Sequence, residues 1–343
     1  MKTLEFLIPS YKRPQTVIQA VESVAKQIEE LKLGERVKIT IVDDCSPNLD
    51  IDEIINAIYS FSNFVSFRQN DVNKGMSLNI RDMVANSNAD FCTILTDDDR
   101  LQPKSLEQII KTIDSLDNEY RDFTVSSFFV PRYSYLEDQS LFCIVCNPFN
   151  EDTIIKTSPL NSLKYLHNGF ILTGLFFRTK LINFQLWDEN IENSFFPVIY
   201  FADLLLNYDC LFVNKNWFLH TVENECHWDS WGKTKEIIRS RLYKDYMQAI
   251  TILSKIALSK TSGIVNNILL WQQEFIGYQI QIRALPTNLR PYIKNVDEVT
   301  LSTLTFKLAI IDSNIAQARW RFRLLLSRIK RVVISSIPIP WLK

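Results

Sequence analysis

The first third of the chain alternates between two hydrophobic periods. Residues 3–9 (TLEFLIP) form an apolar run of strand length. Pro14 sits near the first turn of a helix, and Val17, Ala20, Val21, Val24, Ala25, Ile28 and Leu31 follow at helical spacing over 15–31, before Gly34. The β-branched run 37–42 (VKITIV) predicts a second strand, 52–59 a helix and 64–68 (FVSFR) a third strand. A helix is predicted over 76–87, a fourth strand over 90–95 (DFCTIL), and a further helix over 104–116, after Pro103. Such alternation predicts a mostly parallel sheet with helices on both faces. Over 123–220 strand-like runs (FTVSSFFV, LFCIVC, GFILTGLFFR) alternate with loops, and from about 233 long helical patterns cover 234–259, 264–285 and 301–334. The expected organisation is an α/β domain over 1–232, with halves 1–115 and 116–232, then a helical region over 233–343.

In a parallel α/β sheet, ligands bind beyond the carboxyl ends of the strands. Three polar clusters fall at those ends: Pro9–Arg13, Asp43–Ser46 and Asp97–Asp99. Adjacent aspartates repel one another, and their pKa values rise unless a cation neutralises them. Mg²⁺ takes one or two protein carboxylates together with substrate phosphates. A cation held at Asp98 against a diphosphate would offset the charge that develops as a nucleotide leaves. The plainer reading of the same residues is an exposed acidic turn that caps the next helix. At Asp43-Asp44 a carboxylate can accept a hydrogen bond from a nucleobase or ribose, or build an Asx-type turn before Pro47; one aspartate can do each job.

Charge and composition narrow the classes. The chain has 343 residues, 38 Lys+Arg against 39 Asp+Glu, and a net charge of -1, which argues against a general nucleic-acid binder. With 46% apolar and 22% charged residues it reads as an ordinary globular protein. Six cysteines, most of them in apolar runs, read as buried thiols in a reducing compartment. Cys143-x-x-Cys146 could begin a zinc site but has no second pair at matching spacing. The N-terminus lacks a signal-peptide pattern and no run reaches about 18 uninterrupted apolar residues, so a cytoplasmic location is expected.

The motifs FLIPSYKRP (6–14), IVDDCSP (41–47), NKG with Asn79 (73–79) and ADFCTILTDDDRLQP (89–103) resemble, in order and spacing, the nucleotide-sugar half of glycosyltransferase family 2, whose fold is GT-A. The resemblance covers 1–115 well and 170–230 loosely, and extends to bacterial enzymes that build O-antigen or capsule repeats. It implies an inverting, Mg²⁺- or Mn²⁺-dependent enzyme with a nucleoside-diphosphate sugar donor. Pro9, Tyr11 and Arg13 would wall the nucleobase and ribose. Asp44, with Asp43 beside it, would read the base. Lys74, Gly75 and Asn79 would lie near the nucleotide. Asp97, Asp98 and Asp99 cover the family's DxD-type motif, with Asp98 and Asp99 as the expected metal ligands. Thr96 stands where many members carry the first aspartate, so the ligand set is shifted or reduced. The family's general base precedes a helix reading Asp-Leu-x-Leu, which aligns with Asp203-Leu204-Leu205-Leu206. The usual carboxylate pair then falls on Tyr200 and Phe201, leaving Asp203 as the nearest substitute, with Asp188, Glu189 and Glu192 upstream. His227, and to a lesser degree His220, would face the diphosphate from the loop that follows, close to Trp228 and Trp231.

The C-terminal segment 319–331 carries Arg319, Arg321, Arg323, Arg328, Lys330 and Arg331 and no acid, interleaved with apolar and aromatic residues. A basic amphipathic helix of this kind suits a membrane surface and an acceptor carried on a polyprenyl lipid, or it packs on the catalytic domain. Two rival classes remain. A nucleotidyltransferase would need a glycine-rich phosphate loop, and Pro9–Pro14 contains no glycine. A non-catalytic member of the same fold would explain the missing carboxylate at Phe201.

Overall fold

The computed structural model describes residues 1–135, 141–146, 148–158, 161–162, 165–169 and 172–221, with 245, 248–249, 252–253 and 256. The helical patterns beyond 256, the basic tail and His227 lie outside the described residues.

The expected alternation is present. Strand β1 (Leu4–Ser10) leads into α1 (Pro14–Glu30), β2 (Val37–Asp43), α2 (Ile51–Ile58), β3 (Val65–Gln69), α3 (Met76–Asn86) and β4 (Phe91–Ile94). The short β5 (Asp99–Leu101) and α4 (Ser105–Ser115) follow. The second half holds β6 (Val125–Phe129), β7 (Arg132–Tyr135), β8 (Leu141–Cys146), β9 (Thr153–Ile155) and β10 (Leu175–Arg178). It continues with α5 (Phe184–Asp188), α6 (Phe196–Asn207), β11 (Asp209–Phe212) and β12 (Phe218–Thr221).

Eight strands form one sheet in the order β3-β2-β1-β4-β10-β6-β11-β9. β1 pairs in parallel with β2 on one side and β4 on the other, and β2 pairs in parallel with β3. The strand order therefore reverses at β1, which opens a crevice beyond its carboxyl end. The sheet is mixed, because β10 runs antiparallel to both β4 and β6. This insertion is not readable from hydrophobic runs, since β10 joins the sheet beside a strand more than 80 residues earlier in the chain. A second sheet, β5-β12-β7-β8, lies outside the expected pattern altogether.

Strand alternation divides the core in two. Leu4, Phe6 and Ile8 of β1 and Val37, Ile39 and Ile41 of β2 face one side, with Val17, Val21, Ile54 and Ile109 of α1, α2 and α4. Leu7 and Val42 face the other, with Ile80 and Val84 of α3 and Trp187, Tyr200 and Phe201 of α5 and α6. Helices thus cover both faces of the sheet, and the fold is α/β. A Cβ at Gly169 would lie 2.7 Å from Phe201 Cβ and 2.7 Å from the Pro197 carbonyl oxygen, so α6 packs there at a distance only glycine allows.

Candidate active site

The parallel register brings the three polar clusters together. The Asp44 amide donates to the Ser10 carbonyl (2.8 Å), the Asn70 amide to the Asp43 carbonyl (2.8 Å), and the Leu95 amide to Leu7 (3.0 Å). The ends of β1, β2, β3 and β4 therefore form one edge, followed by the loops that carry Tyr11–Arg13, Asp43–Ser46, Asn70–Gly75 and Thr96–Asp99.

Most of the acceptor capacity of the Asp43-Asp44 turn is met by the protein itself. Asp43 Oδ2 accepts from the Ser46 amide (2.7 Å) and Gln69 Nε2 (2.9 Å), and its Oδ1 from Ser46 Oγ (2.5 Å). Ser46 Oγ in turn accepts from the Lys12 amide (2.6 Å), which ties the first loop to the second. Asp44 Oδ1 accepts from Asn70 Nδ2 (3.0 Å) and the Lys74 amide (2.8 Å), and its Oδ2 from the Gly75 amide (2.7 Å). A carboxylate offers about four acceptor positions, so each aspartate keeps roughly one for a ligand. Gly75 sits at φ 80, ψ 156, a conformation open almost only to glycine, and this turns its N–H toward Asp44. Asn79 Nδ2 donates to the Val42 carbonyl (3.2 Å) and its Oδ1 accepts from Asn70 (3.0 Å). Lys74 Nζ reaches Asp82 (2.8 Å). Of the residues expected near the nucleotide, Asp44, Lys74, Gly75 and Asn79 thus form one hydrogen-bonded loop assembly.

The acidic turn is built differently. Arg13 Nη1 donates to Asp97 Oδ1 (3.2 Å) and to Asp98 Oδ2 (3.0 Å). Burial pushes the Asp97 carboxyl up to about 7, with the charge of Asp98 adding to it, against the opposing pull of Arg13 and the Tyr11 amide. Asp98 is raised as well, by burial and by the charge of Asp99. Asp99 turns inward instead. Its Oδ2 lies 2.9 Å from His220 Nδ1 and accepts from Thr96 Oγ1 at 2.7 Å. Burial alone would raise Asp99, but His220 and the hydroxyls of Thr173 and Thr96 outweigh it and hold the carboxyl below its ordinary value. The carboxylates facing Arg13 are therefore Asp97 and Asp98, whereas the expected metal pair was Asp98 and Asp99. The contact between Asp99 and His220 exists because β12 pairs antiparallel with β5, which sets His220 opposite Asp99. Thr173 joins this network: its hydroxyl accepts from the Thr96 amide (3.0 Å) and its carbonyl from Arg132 Nε (3.1 Å). Nothing in the sequence marks Thr173 or the His220 contact.

The donor chemistry of this turn suits a hard divalent cation. Among the described residues no three His, Cys, Asp or Glu side chains converge on a metal position. Asp97 and Asp98 offer carboxylate oxygens on which burial opposes negative charge. One or two carboxylates are what a Mg²⁺ ion takes from a protein when substrate phosphates and water complete its shell.

The expected base region lies in the helix body. Tyr200 and Phe201 are buried, and Phe201 packs edge-on against Phe129 at 5.7 Å. Burial raises the Tyr200 phenol far above its ordinary range. Neither side chain can act as a carboxylate base. Asp203 is also buried, and its Oδ1 accepts from Asn207 Nδ2 at 3.2 Å, one turn along α6. Upstream, Asp188 is paired with Arg81 through both oxygens (2.8 and 2.9 Å).

Comparison with known proteins fits this edge-on arrangement. The family model described as "Glycosyl transferase family 2" matches residues 5–181, more than half of the chain and all of the edge just described apart from His220. The chain belongs to glycosyl transferase family 2. An uncharacterized glycosyltransferase of Haemophilus influenzae is 28% identical over 115 residues, 34% of this chain and about a third (36%) of that relative's length. Among solved structures, S. aureus TarS 1-349 superposes with a TM-score of 0.61 at 15% identity, covering 93% of this chain and 91% of that one. The same TarS fragment in complex with UDP-GlcNAc gives a TM-score of 0.60 at 16% identity. At such identities the likeness shows the fold, and this family member shares its α/β GT-A architecture with TarS.

Proposed function

We propose that this glycosyltransferase moves a sugar, with inversion, from a nucleoside-diphosphate donor to a glycan acceptor. The observation that carries the reading is the acidic turn: a buried Asp97 and a half-buried Asp98 that share the Arg13 guanidinium at the strand-order reversal, beside a loop network built on Asp43 and Asp44. The complex of TarS with UDP-GlcNAc makes a UDP-sugar the first donor to try. Asp98, with Asp97, would hold a Mg²⁺ or Mn²⁺ ion, which supplies positive charge to the departing diphosphate. Asp43 and Asp44 shape the crevice floor and keep an acceptor position each for base or ribose. Pro9, Tyr11 and Arg13 wall the nucleotide, and Asp99 is held inward so that Asp98 projects from the turn. His227 would approach the diphosphate from the segment after β12.

Asp203 is the candidate base for the acceptor hydroxyl. Its replacement by Asn should lower turnover by at least about 100-fold if it takes the proton, a size typical of general bases. A fall in thermal stability with turnover preserved would return Asp203 to a structural role.

The acceptor we favour is a polyprenyl-linked glycan of bacterial surface polysaccharide, such as O-antigen or capsule. The basic, aromatic-bearing segment 319–331 supports this, since each basic residue near an anionic surface adds about 1 kcal/mol. The enzyme would then work in the cytoplasm at the inner face of the membrane. One observation favours a second reading, a non-catalytic sugar-nucleotide binder: the buried Tyr200 and Phe201 at the usual carboxylate positions.

Calorimetry of UDP, GDP and dTDP with and without Mn²⁺ tests the site, using wild type and Asp98→Ala. Cation-dependent binding of one nucleotide, lost in the variant, supports the reading. If no nucleotide binds with any cation, the acidic turn is not a donor site. Release of free nucleotide from the matching sugar donor separates the enzyme from the binder.

A further inference from the structure

We propose that Arg13 is an exchangeable counter-ion of the acidic turn, one that holds the cation's place until the donor's diphosphate draws it away. The inference rests on the cation reading of Asp97 and Asp98 given above, and adds an order to it.

Both contacts run through a single nitrogen, Nη1, at 3.2 Å from Asp97 and 3.0 Å from Asp98. The guanidinium therefore lies between oxygens of the two residues that would hold a divalent cation. All three side chains are largely removed from water, at 19, 12 and 29% exposure for Arg13, Asp97 and Asp98, so the charges act through a weakly screening medium. A guanidinium and a divalent cation cannot both occupy that position without strong repulsion.

The backbone lets one leave while the fold stays. The Arg13 carbonyl accepts from the Val17 amide (3.1 Å) and Thr16 Oγ1 (3.2 Å), which pins the residue to the start of α1. Rotation about the side-chain bonds, with the backbone left in place, would lift the guanidinium off the carboxylates. Its natural next partner is a phosphate, which matches the planar fork as well as a carboxylate does. A diphosphate entering the crevice would bind Arg13, uncover Asp97 and Asp98, and so favour the cation; by linkage the cation would favour the diphosphate equally. Free cation without donor would be turned away.

The test is Mn²⁺ binding to the full chain by calorimetry and by the spin-resonance signal of free Mn²⁺, without nucleotide, in wild type, Arg13→Gln and Arg13→Lys. Thermal melting checks that each variant is folded. Removing the positive charge should tighten Mn²⁺ alone by about tenfold, the scale of one nearby charge. Arg13→Lys should stay near wild type. Adding UDP should tighten Mn²⁺ more in wild type than in Arg13→Gln. A folded Arg13→Gln that binds Mn²⁺ alone no better than wild type overturns the exchange, whatever its activity. If wild type still binds Mn²⁺ with UDP in that case, the cation reading stands without it. If no protein binds Mn²⁺ in any mixture, both fall. A residue that merely contacts phosphate or supports the fold would weaken binding when replaced, so the sign of the change separates the roles.

Discussion

Two pairs of aspartates sit at neighbouring strand ends of one sheet, and they are opposites. Asp43 and Asp44 are surrounded by donors from their own protein: three backbone amides, two side-chain amides and a hydroxyl. Asp97 and Asp98 share one guanidinium nitrogen, with the Tyr11 amide also bonding Asp97 and the Thr96 hydroxyl also bonding Asp98, and burial raises both carboxyls. The first pair organises loops. The second stores unfavourable charge that a cation and a diphosphate would relieve. Identical side chains on equivalent edges thus differ in how much of their hydrogen-bonding demand the fold has already met and in how strongly burial opposes their charge.

The contrast breaks most clearly at Asp98. Asp98→Ala should lower transferase activity by about 10³-fold, the scale for losing one charge-stabilising group at a reacting centre. Its melting temperature should stay level or rise, because the substitution relieves a like-charge contact with Asp99. A large loss of stability with activity retained would make the turn structural. The reverse is expected at Asp44. Asp44→Ala takes one acceptor each from the Lys74 and Gly75 amides and Asn70 Nδ2, of which Gly75 keeps Asn73 Oδ1 and Asn70 keeps Asn79 Oδ1, and should cost about 2 kcal/mol in denaturant unfolding. A loss below about 0.5 kcal/mol would show that water replaces the carboxylate and that the pair is not a scaffold.

Asp97 sharpens the comparison through pH. Its carboxyl rises from an ordinary 3.8 to about 7 on folding. The folded chain thus holds an extra proton between those values, so the stability linked to this group is full below about pH 4 and is lost as pH rises through 7. In cation-free buffer Asp97→Asn should be more stable than wild type at pH 8 by up to about 4 kcal/mol, the size of that rise, in which the pull of Arg13 is already included. The gap should close toward pH 4. A gap that does not change between pH 4 and 8 would remove the buried-charge account. The smallest effect is at Gly75, where a Cβ meets nothing within 4 Å but the backbone lies at φ 80. Gly75→Ala should cost about 1–2 kcal/mol through backbone strain alone, and its nucleotide affinity should fall only as far as the loop shifts.

Much of the first half was legible because its signals are local. The expected helix over 15–31 is found at Pro14–Glu30 and the strand over 37–42 at Val37–Asp43, each within a residue or two. Apolar spacing decided them, and strong periodicity survives tertiary packing. The three polar clusters were placed correctly on one edge, since parallel topology leaves no other position for the strand ends. The second half was less legible. Its runs are uniformly apolar, so they carry no period that distinguishes a parallel strand from the antiparallel β10, or the main sheet from the small one. The alignment that put the usual base at Tyr200 and Phe201 identified the departure, but the reason those positions tolerate it, close packing on Gly169 and Phe129, is visible only in the folded chain.

By itself, the sequence determined the elements of the nucleotide-sugar half and the strand ends where its carboxylates gather, because turn residues and hydrophobic period act over a few positions. Only the tertiary structure decided which groups each carboxylate faces. Arg13 meets Asp97 and Asp98 across 84 and 85 residues, and His220 meets Asp99 across 121. Charge compensation is a property of neighbours in space, and no local pattern states which distant side chain will supply it.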